Sequence, residues 1–403
     1  MHDVVKSLKK TVTSSISNIN KEIKKRSRKI SFKDVIYYSC LLIGNNQSYD
    51  DTNTILKVDN ILDVSNAALI KYKNKIDCSY FNELNNDILD HIYNEFDVTR
   101  LIAVDGTNIV LDESLKEYNF KLSNNNHYCT ALISTLFDVT LGVPINYYLS
   151  KNDCERSALR CQFEYLKETD ILIMDRGYYS LKLLFELYNL GINVIFRLRT
   201  GLSVLNKLDL CDDATVVLKH EGKKIQFRVL KYTVNKNIYY IGTTIYDKSI
   251  KYFKDTYWKR WKVEVNFKYS KYNLSMNNIK SKSENSVTQD IYIHNLIFII
   301  TGYIKYHLEE DICENYNINV TSLLKILINK ILYLFLYKNS TSKNIDEIIR
   351  IFDIIKESLI YVRTDRHYKR IRYKPSTKWN INGNRYSRDP DRTKKPSKKS
   401  SKK

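Results

Sequence analysis

The chain is poor in the residues that staple, hinge or loosen a fold. Its seven cysteines, at 40, 78, 129, 154, 161, 211 and 313, are odd in number and never spaced as CxxC, and its seven histidines show no HxxxH pattern. That pattern argues against a disulfide framework and against a zinc site, and fits a reducing intracellular compartment. Only 10 Gly and 4 Pro leave little room for flexible linkers. The first 30 residues lack the apolar segment of a secretory signal. The longest apolar stretches, 291–304 and 323–337, are short or are interrupted by Lys325 and Lys330, so no membrane span is expected.

What is present is basic charge, and it is unevenly placed. Hydrophobic residues make up 43% and charged residues 27% of the 403, which excludes disorder throughout and allows a sizeable core. Residues 1–30 hold 9 Lys/Arg against 2 Asp/Glu, and residues 366–403 hold 15 against 2. These ends carry +7 and +13, the whole of the net +20, so the body between them is neutral. Basic arms around a balanced body bind polyanions through phosphate contacts, or else merely solubilise. The closing KKPSKKSSKK also has the composition of a nuclear address. The 32 Tyr, with abundant Asn, Ile and Lys, have the look of AT-rich coding and carry no functional reading.

Along the chain, residues 1–27 read as a basic arm with some helical tendency, and 28–97 as a helical, DNA-binding domain. Apolar residues recur at three and four in DVIYYSCLLI and ELNNDILDHIYNEF. Between them Ser65 or Asn66 caps a short helix bearing Lys71, Lys73 and Lys75, which suits DNA binding and plain helical packing equally. Near residue 101 the pattern changes. LIAVD (101–105) and ILIMD (171–175) are short apolar runs of buried-strand type, each closing on an Asp. Residues 131–150 predict two strands turning at Asp138 to Gly142, residues 152–168 a helix capped by Asn152 or Asp153, and SLKLLFELYNLG another helix. The order β-β-β-α-β-α predicts a mixed α/β sheet. Residues 193–247 turn back to strands with a hairpin at Glu221-Gly222, and a long helix follows from about Asp255. Helices are expected through 365, and a disordered basic tail over 366–403.

If the two Asp-ended strands are parallel neighbours, Asp105 and Asp175 emerge at one sheet edge, where open α/β sheets place their sites. Carboxylates converging there suit hard cations such as Mg²⁺ or Mn²⁺, although an Asp after a strand is also an ordinary turn residue. In DTYWKRWKVEVNFKYSKYN, Tyr257, Arg260, Glu264 and Lys271 fall at spacings of 3, 7 and 14 residues. On a helix they share a stripe about 60° wide and roughly 21 Å long. Trp258, Trp261, Val265 and Tyr272 form an apolar stripe beside it, expected to pack on the sheet, while Lys259, Lys262, Asn266 and Ser270 are expected to face away. Glu264 would then supply a third carboxylate at the edge of the contact, with Arg260 and Lys271 reaching phosphates. A solvated face with ordinary Arg-Glu and Glu-Lys pairs is the competing reading.

Together these residues resemble the DDE transposases of the insertion-sequence 4 group. The resemblance rests on Asp105-Gly106-Thr107, on Asp175-Arg176-Gly177-Tyr178, and on the complete Y-(2)-R-(3)-E-(6)-K motif at Tyr257, Arg260, Glu264 and Lys271. Tyr178 stands where Phe is also common, and Gly242-Thr243-Thr244 where the family often has a Thr-Asn pair. The resemblance implies a ribonuclease H-like catalytic domain over about 98–310, interrupted by a β-rich insertion at about 193–250, with C-terminal helices over 311–365. It implies that Asp105, Asp175 and Glu264 hold two Mg²⁺ ions, with Mn²⁺ able to substitute, and that Tyr257, Arg260 and Lys271 hold DNA. The implied activity is cut-and-paste transposition: hydrolysis at the ends of an element, then strand transfer into target DNA, by a homodimer acting on double-stranded DNA. A metal-dependent nuclease of the same fold and a domesticated, non-catalytic DNA-binding protein are the alternatives. Retention of all three acids weighs against the second.

Overall fold

The computed structural model describes residues 1–23, 29–96, 98–124, 127–209, 211–234 and 236–362. The expected basic tail over 366–403 lies outside the described residues. The chain opens with helices α1 (His2–Glu22), α2 (Phe32–Asn45), α3 (Tyr49–Val58), α4 (Asn66–Lys75) and α5 (Ser79–Glu95). Strands β1 (Leu101–Leu111), β2 (Lys121–Leu122), β3 (Cys129–Asp138) and β4 (Val143–Ser150) follow, then α6 (Glu155–Arg160), β5 (Ile171–Met174), α7 (Leu181–Asn189) and β6 (Asn193–Arg197). Next come β7 (Asp213–His220), β8 (Lys223–Val234), β9 (Asn237–Thr243), α8 (Ile250–Lys259), α9 (Trp261–Tyr272) and α10 (Glu284–Glu309). The described chain closes with β10 (Tyr316–Asn317), α11 (Val320–Ile326), α12 (Leu332–Tyr337), α13 (Ser342–Glu357) and β11 (Ile360–Tyr361).

Among the described residues one nine-stranded sheet runs β2-β3-β1-β5-β6-β9-β8-β7, with β4 also on β3. The β1–β5 and β5–β6 pairs are parallel, and the β1–β3, β3–β4 and β6–β9 pairs are antiparallel. This is the mixed α/β sheet flanked by helices, with helical regions at both ends, that the pattern predicts. Strands β7–β9 continue the sheet, and the β7–β8 hairpin turns through Glu221 (φ 47) and Gly222 (φ 78) as expected.

Each face of the sheet has its own cover, because successive side chains along a strand alternate. Leu101, Ala103, Ile173 and Ile195 point into a small core with Phe253, Tyr257, Val263 and Phe267 of α8 and α9. Ile102, Val104, Leu172, Met174, Val194 and Phe196 point into the larger core that holds α5, α7 and α10. Helix α10 is apolar around most of its circumference and is buried almost throughout residues 286–304, as a helix with no solvent face must be. It lies so close to the sheet that a Cβ on Gly302 would come 2.4 Å from the Gly142 carbonyl oxygen.

Three local expectations need correction. The N-terminal arm is a packed helix: Val5, Leu8, Val12, Ile16 and Ile19 of α1 are buried, and Lys9 donates to the Asn339 carbonyl at 3.1 Å. Lysines 6, 10 and 21 on the outer face mask that apolar stripe in a charge count. In place of a helix over 152–168 there is only the short α6, whose N-cap Cys154 makes no side-chain cap, followed by a 3₁₀ turn at Phe163–Tyr165. Strand β1 does not end at Asp105 but runs on to Leu111, because β3 offers it a backbone partner as far as Cys129.

Lys73 of α4 is turned inward onto Asp290 of α10 at 2.5 Å, and only Lys71 and Lys75 remain exposed. The segment Val320–Tyr337 is long and apolar enough to pass as a membrane span, but half of it is buried inside the protein. All seven cysteines are free thiols.

Candidate active site

Strands β1 and β5 are parallel neighbours in the register Val104↔Met174, and the next residue on each chain is an aspartate. Asp105 and Asp175 continue the odd-numbered series 101, 103 and 171, 173, so both lie on the face covered by α8 and α9. That parity brings the third acid to them.

Helices α8 and α9 meet at Arg260, where Arg260 N–H donates to the Tyr257 carbonyl and Val263 N–H to the Arg260 carbonyl, each at 3.1 Å. These three-residue bonds tighten one turn without turning the helix aside, so Tyr257, Arg260 and Glu264 stay on one side. Tyr257, 4% exposed, donates its hydroxyl to Asp175 Oδ1 at 3.3 Å. Arg260 donates through Nη1 to Asp105 Oδ2 at 2.9 Å and through Nη2 to Glu264 Oε1 at 2.6 Å. Lys271, at the other end of α9, donates to the Asn108 carbonyl of β1 at 2.9 Å. The structure thus gathers Tyr257, Arg260 and Glu264 around Asp105 and Asp175, and holds Lys271 further along β1.

The buried face of α9 is not the one expected. Trp258 and Trp261 are 44% and 48% exposed, and Tyr272 is also exposed. Val263, Asn266, Phe267 and Ser270 are buried instead. Tyr147 on β4 donates its hydroxyl to Asn266 Oδ1 and meets Ser270, so two polar residues are satisfied inside. Hydropathy alone, which sends tryptophan inward, cannot detect a buried polar partner on a distant strand.

Electrostatically the centre is acidic and partly dehydrated. Burial raises the Asp105 carboxyl above the usual range, against the opposing pull of Arg260. Burial works against the charge on Arg260, but Tyr257, Asp105 and Glu264 outweigh it and its pKa rises. Burial lowers the Lys271 ammonium. As placed, no three acidic, histidine or cysteine groups among the described residues stand close enough to grip a metal ion, since the Arg260 guanidinium lies between Asp105 and Glu264. Their donor chemistry still fits a hard divalent cation, because carboxylate oxygens are the ligands Mg²⁺ and Mn²⁺ prefer.

Three residues at or beside this centre, Glu155, Arg197 and Arg199, escape the motif reading, and Arg176 and Tyr178 of the second motif gain a place beside them. Glu155 and Tyr178 approach the two aspartates, and Arg176, Arg197 and Arg199 line a cleft of about 470 Å³ with Thr200, Ile238 and Tyr240. None of the three arginines has a carboxylate partner among the ion pairs of the described residues, and Arg176 directly follows Asp175. The available signal was the cluster of arginines at 176, 197 and 199, which only the parallel β5–β6 pairing brings together.

Comparison with known proteins finds one family. The model described as "Transposase DDE domain" matches residues 97–300, half of the chain and the span that holds all three acids. No curated protein matches the sequence.

Proposed function

This chain belongs to the transposase DDE domain family, and we propose that it is a cut-and-paste DNA transposase of the insertion-sequence 4 group, with Asp105, Asp175 and Glu264 as its catalytic acids. The observation that carries this reading is the gathering of those carboxylates by two neighbouring side chains of one helical turn: Arg260 pairs with Asp105 of β1 and Glu264 of α9, and the Tyr257 hydroxyl donates to Asp175 just past β5. Asp105, Asp175 and Glu264 would hold two Mg²⁺ ions, or Mn²⁺ in their place, in competition with Arg260 for the same oxygens. Bound there, such ions activate an attacking oxygen and stabilise a leaving one in phosphodiester chemistry.

The rest of the work falls to the chain's own side chains. Tyr257 positions Asp175 through its hydroxyl, and Arg260 holds Asp105 and Glu264 in a fixed relation. Tyr257, Arg260 and Lys271 border the path of a DNA strand, and the arginine cleft beyond Asp175 extends it with donors suited to phosphate. The helical region 28–97 is proposed to contact double-stranded DNA, through groups other than the inward-facing Lys73. The enzyme is proposed to act as an intracellular, DNA-associated homodimer, since two element ends must be joined.

The test is cleavage of labelled DNA carrying the gene's own flanking sequence, in Mg²⁺ or Mn²⁺, by wild type and by Glu264→Ala. Nicking at the element boundary by wild type, with a loss of at least 10³-fold in the variant, is the expected result (about 4 kcal/mol of barrier). Cutting without joining to a target would make the protein a nuclease of this fold. Binding without any cutting would make it a domesticated DNA-binding protein.

A further inference from the structure

The centre contains a carboxylate that neither the motif nor the family match assigns. Glu155 opens the short helix α6, and its carboxylate lies beside Gly106 and Gly177, close to the two aspartates. Gly106 makes room for it, and Gly177 borders it. A Cβ on Gly106 would stand 2.9 Å from Glu155 Oε1 and 3.1 Å from its Cγ, and one on Gly177 would stand 3.8 Å from Oε2. Neither glycine has a positive φ, so conformational freedom does not require them. Clearance favours glycine at 106, where a Cβ would crowd the Glu155 carboxylate, whereas at 177 a Cβ would stand in ordinary contact with the same carboxylate. Asp105 and Gly106 point to opposite faces of β1, so Glu155 approaches from the side of the sheet opposite Glu264.

The Glu155 side chain makes no hydrogen bond or ion pair with any described residue, although it is half-buried and feels the charges of Asp105 and Asp175, opposed only by Arg260, which is already paired with Asp105 and Glu264. An unpaired carboxylate held beside two others is unfavourable unless something cationic joins them. A second, independent observation points to a ligand. Tyr178 is 1% exposed, and its hydroxyl has no hydrogen-bond partner. The charged groups acting on that hydroxyl are Glu155, Asp105, Arg260 and Asp175. The Arg260 Nε is likewise buried and unpartnered. Buried polar atoms in native proteins are nearly always satisfied, so an orphaned hydroxyl beside three carboxylates marks a place where water or a ligand completes the network.

We propose that Glu155 is a fourth carboxylate of the divalent-cation site, entering from the α6 side, and that Tyr178 is a positioning residue whose hydroxyl orders the water or carboxylate around that cation. This rests on the proposed cation-dependent reading of Asp105, Asp175 and Glu264, and adds a ligand to it. Gly106 then has a stated purpose, which is to let a carboxylate from outside the three motifs reach the motif aspartates.

The experiment titrates the full chain with Mn²⁺ alone, following free Mn²⁺ by its paramagnetic resonance signal. Wild type, Glu155→Gln, Glu155→Asp and Asp175→Asn are compared, and thermal unfolding is recorded with and without the ion. Glu155→Gln is expected to weaken Mn²⁺ binding at least tenfold, with Glu155→Asp between it and wild type. The same variant should unfold at a higher temperature than wild type without metal, because a repelling charge is gone, and should gain less from added Mn²⁺. Mn²⁺ bound by Glu155→Gln as tightly as by wild type, while Asp175→Asn loses it, overturns the fourth ligand and leaves the parent reading intact. Wild type that binds no Mn²⁺ and cuts no DNA overturns both. Tyr178→Phe is expected to shift Mn²⁺ affinity without lowering the unfolding temperature. A lower unfolding temperature with unchanged affinity would make its hydroxyl structural.

Discussion

At single side chains, burial and company decide how each acid behaves. Asp138, fully buried at the end of β3, accepts from Thr140 N–H at 2.8 Å, Leu141 N–H at 3.3 Å and the Tyr93 hydroxyl at 3.1 Å. Burial nevertheless raises its carboxyl above the ordinary range, because those donors and Arg100 only partly offset desolvation. The folded state therefore holds this proton more tightly than the unfolded chain does, so stability is greatest when the group is protonated. It falls as pH rises from about 4 through the raised value, then levels off. In Asp138→Asn the neutral amide still accepts from Thr140 N–H, and denaturant titration across that window should show a slope of stability on pH smaller by up to about 1.4 kcal/mol per unit. Asp105 and Glu155 rise in the same direction in both proteins, so the difference isolates Asp138.

Among elements, the pair that ties the N-terminal helices to α10 is the most exposed to mutation. Lys73 and Asp290 are 4% and 5% exposed at their side chains, and Ser281 donates to the second Asp290 oxygen at 2.6 Å. Lys73→Met strands a buried carboxylate and should cost roughly 3 kcal/mol in a denaturant midpoint, whereas adding Asp290→Leu should recover much of it. Elements also show where sequence is readable. The apolar runs leading into Asp105 and Asp175 stood out because a buried parallel strand is a continuous apolar run, and one face of the sheet follows from residue parity alone. The face of α9 did not stand out, because Asn266 and Ser270 owe their burial to Tyr147, more than a hundred residues away. Glu155 was invisible for the same reason. It begins a helix too short to have a period, and only Gly106, directly after the first aspartate, is consistent with something approaching there.

For the whole molecule, charge and fold are separable. The body is electrically balanced, and the tail from 366 carries 15 basic residues outside the described fold. Truncation after residue 365 should leave the unfolding temperature within about a degree while weakening DNA binding. It should also flatten the slope of log affinity on log salt, by roughly 0.9 for each phosphate that the tail no longer neutralises. An unchanged slope would place the DNA-binding charge on the body, with the arginine cleft as the first candidate.

The pairing of β9 on β6 has a consequence for how such a chain can change over evolutionary time. Strands β7–β9 are joined through the pairing of β9 with Ile195–Arg197 as the three outer strands of one continuous sheet. A shortened descendant lacking residues 200–245 would leave β6, apolar on both faces, as a bare edge ready to pair with another copy. Insertions at the Glu221-Gly222 hairpin tip meet no such barrier, so length in this region is free to grow outward but not to shrink back to the core.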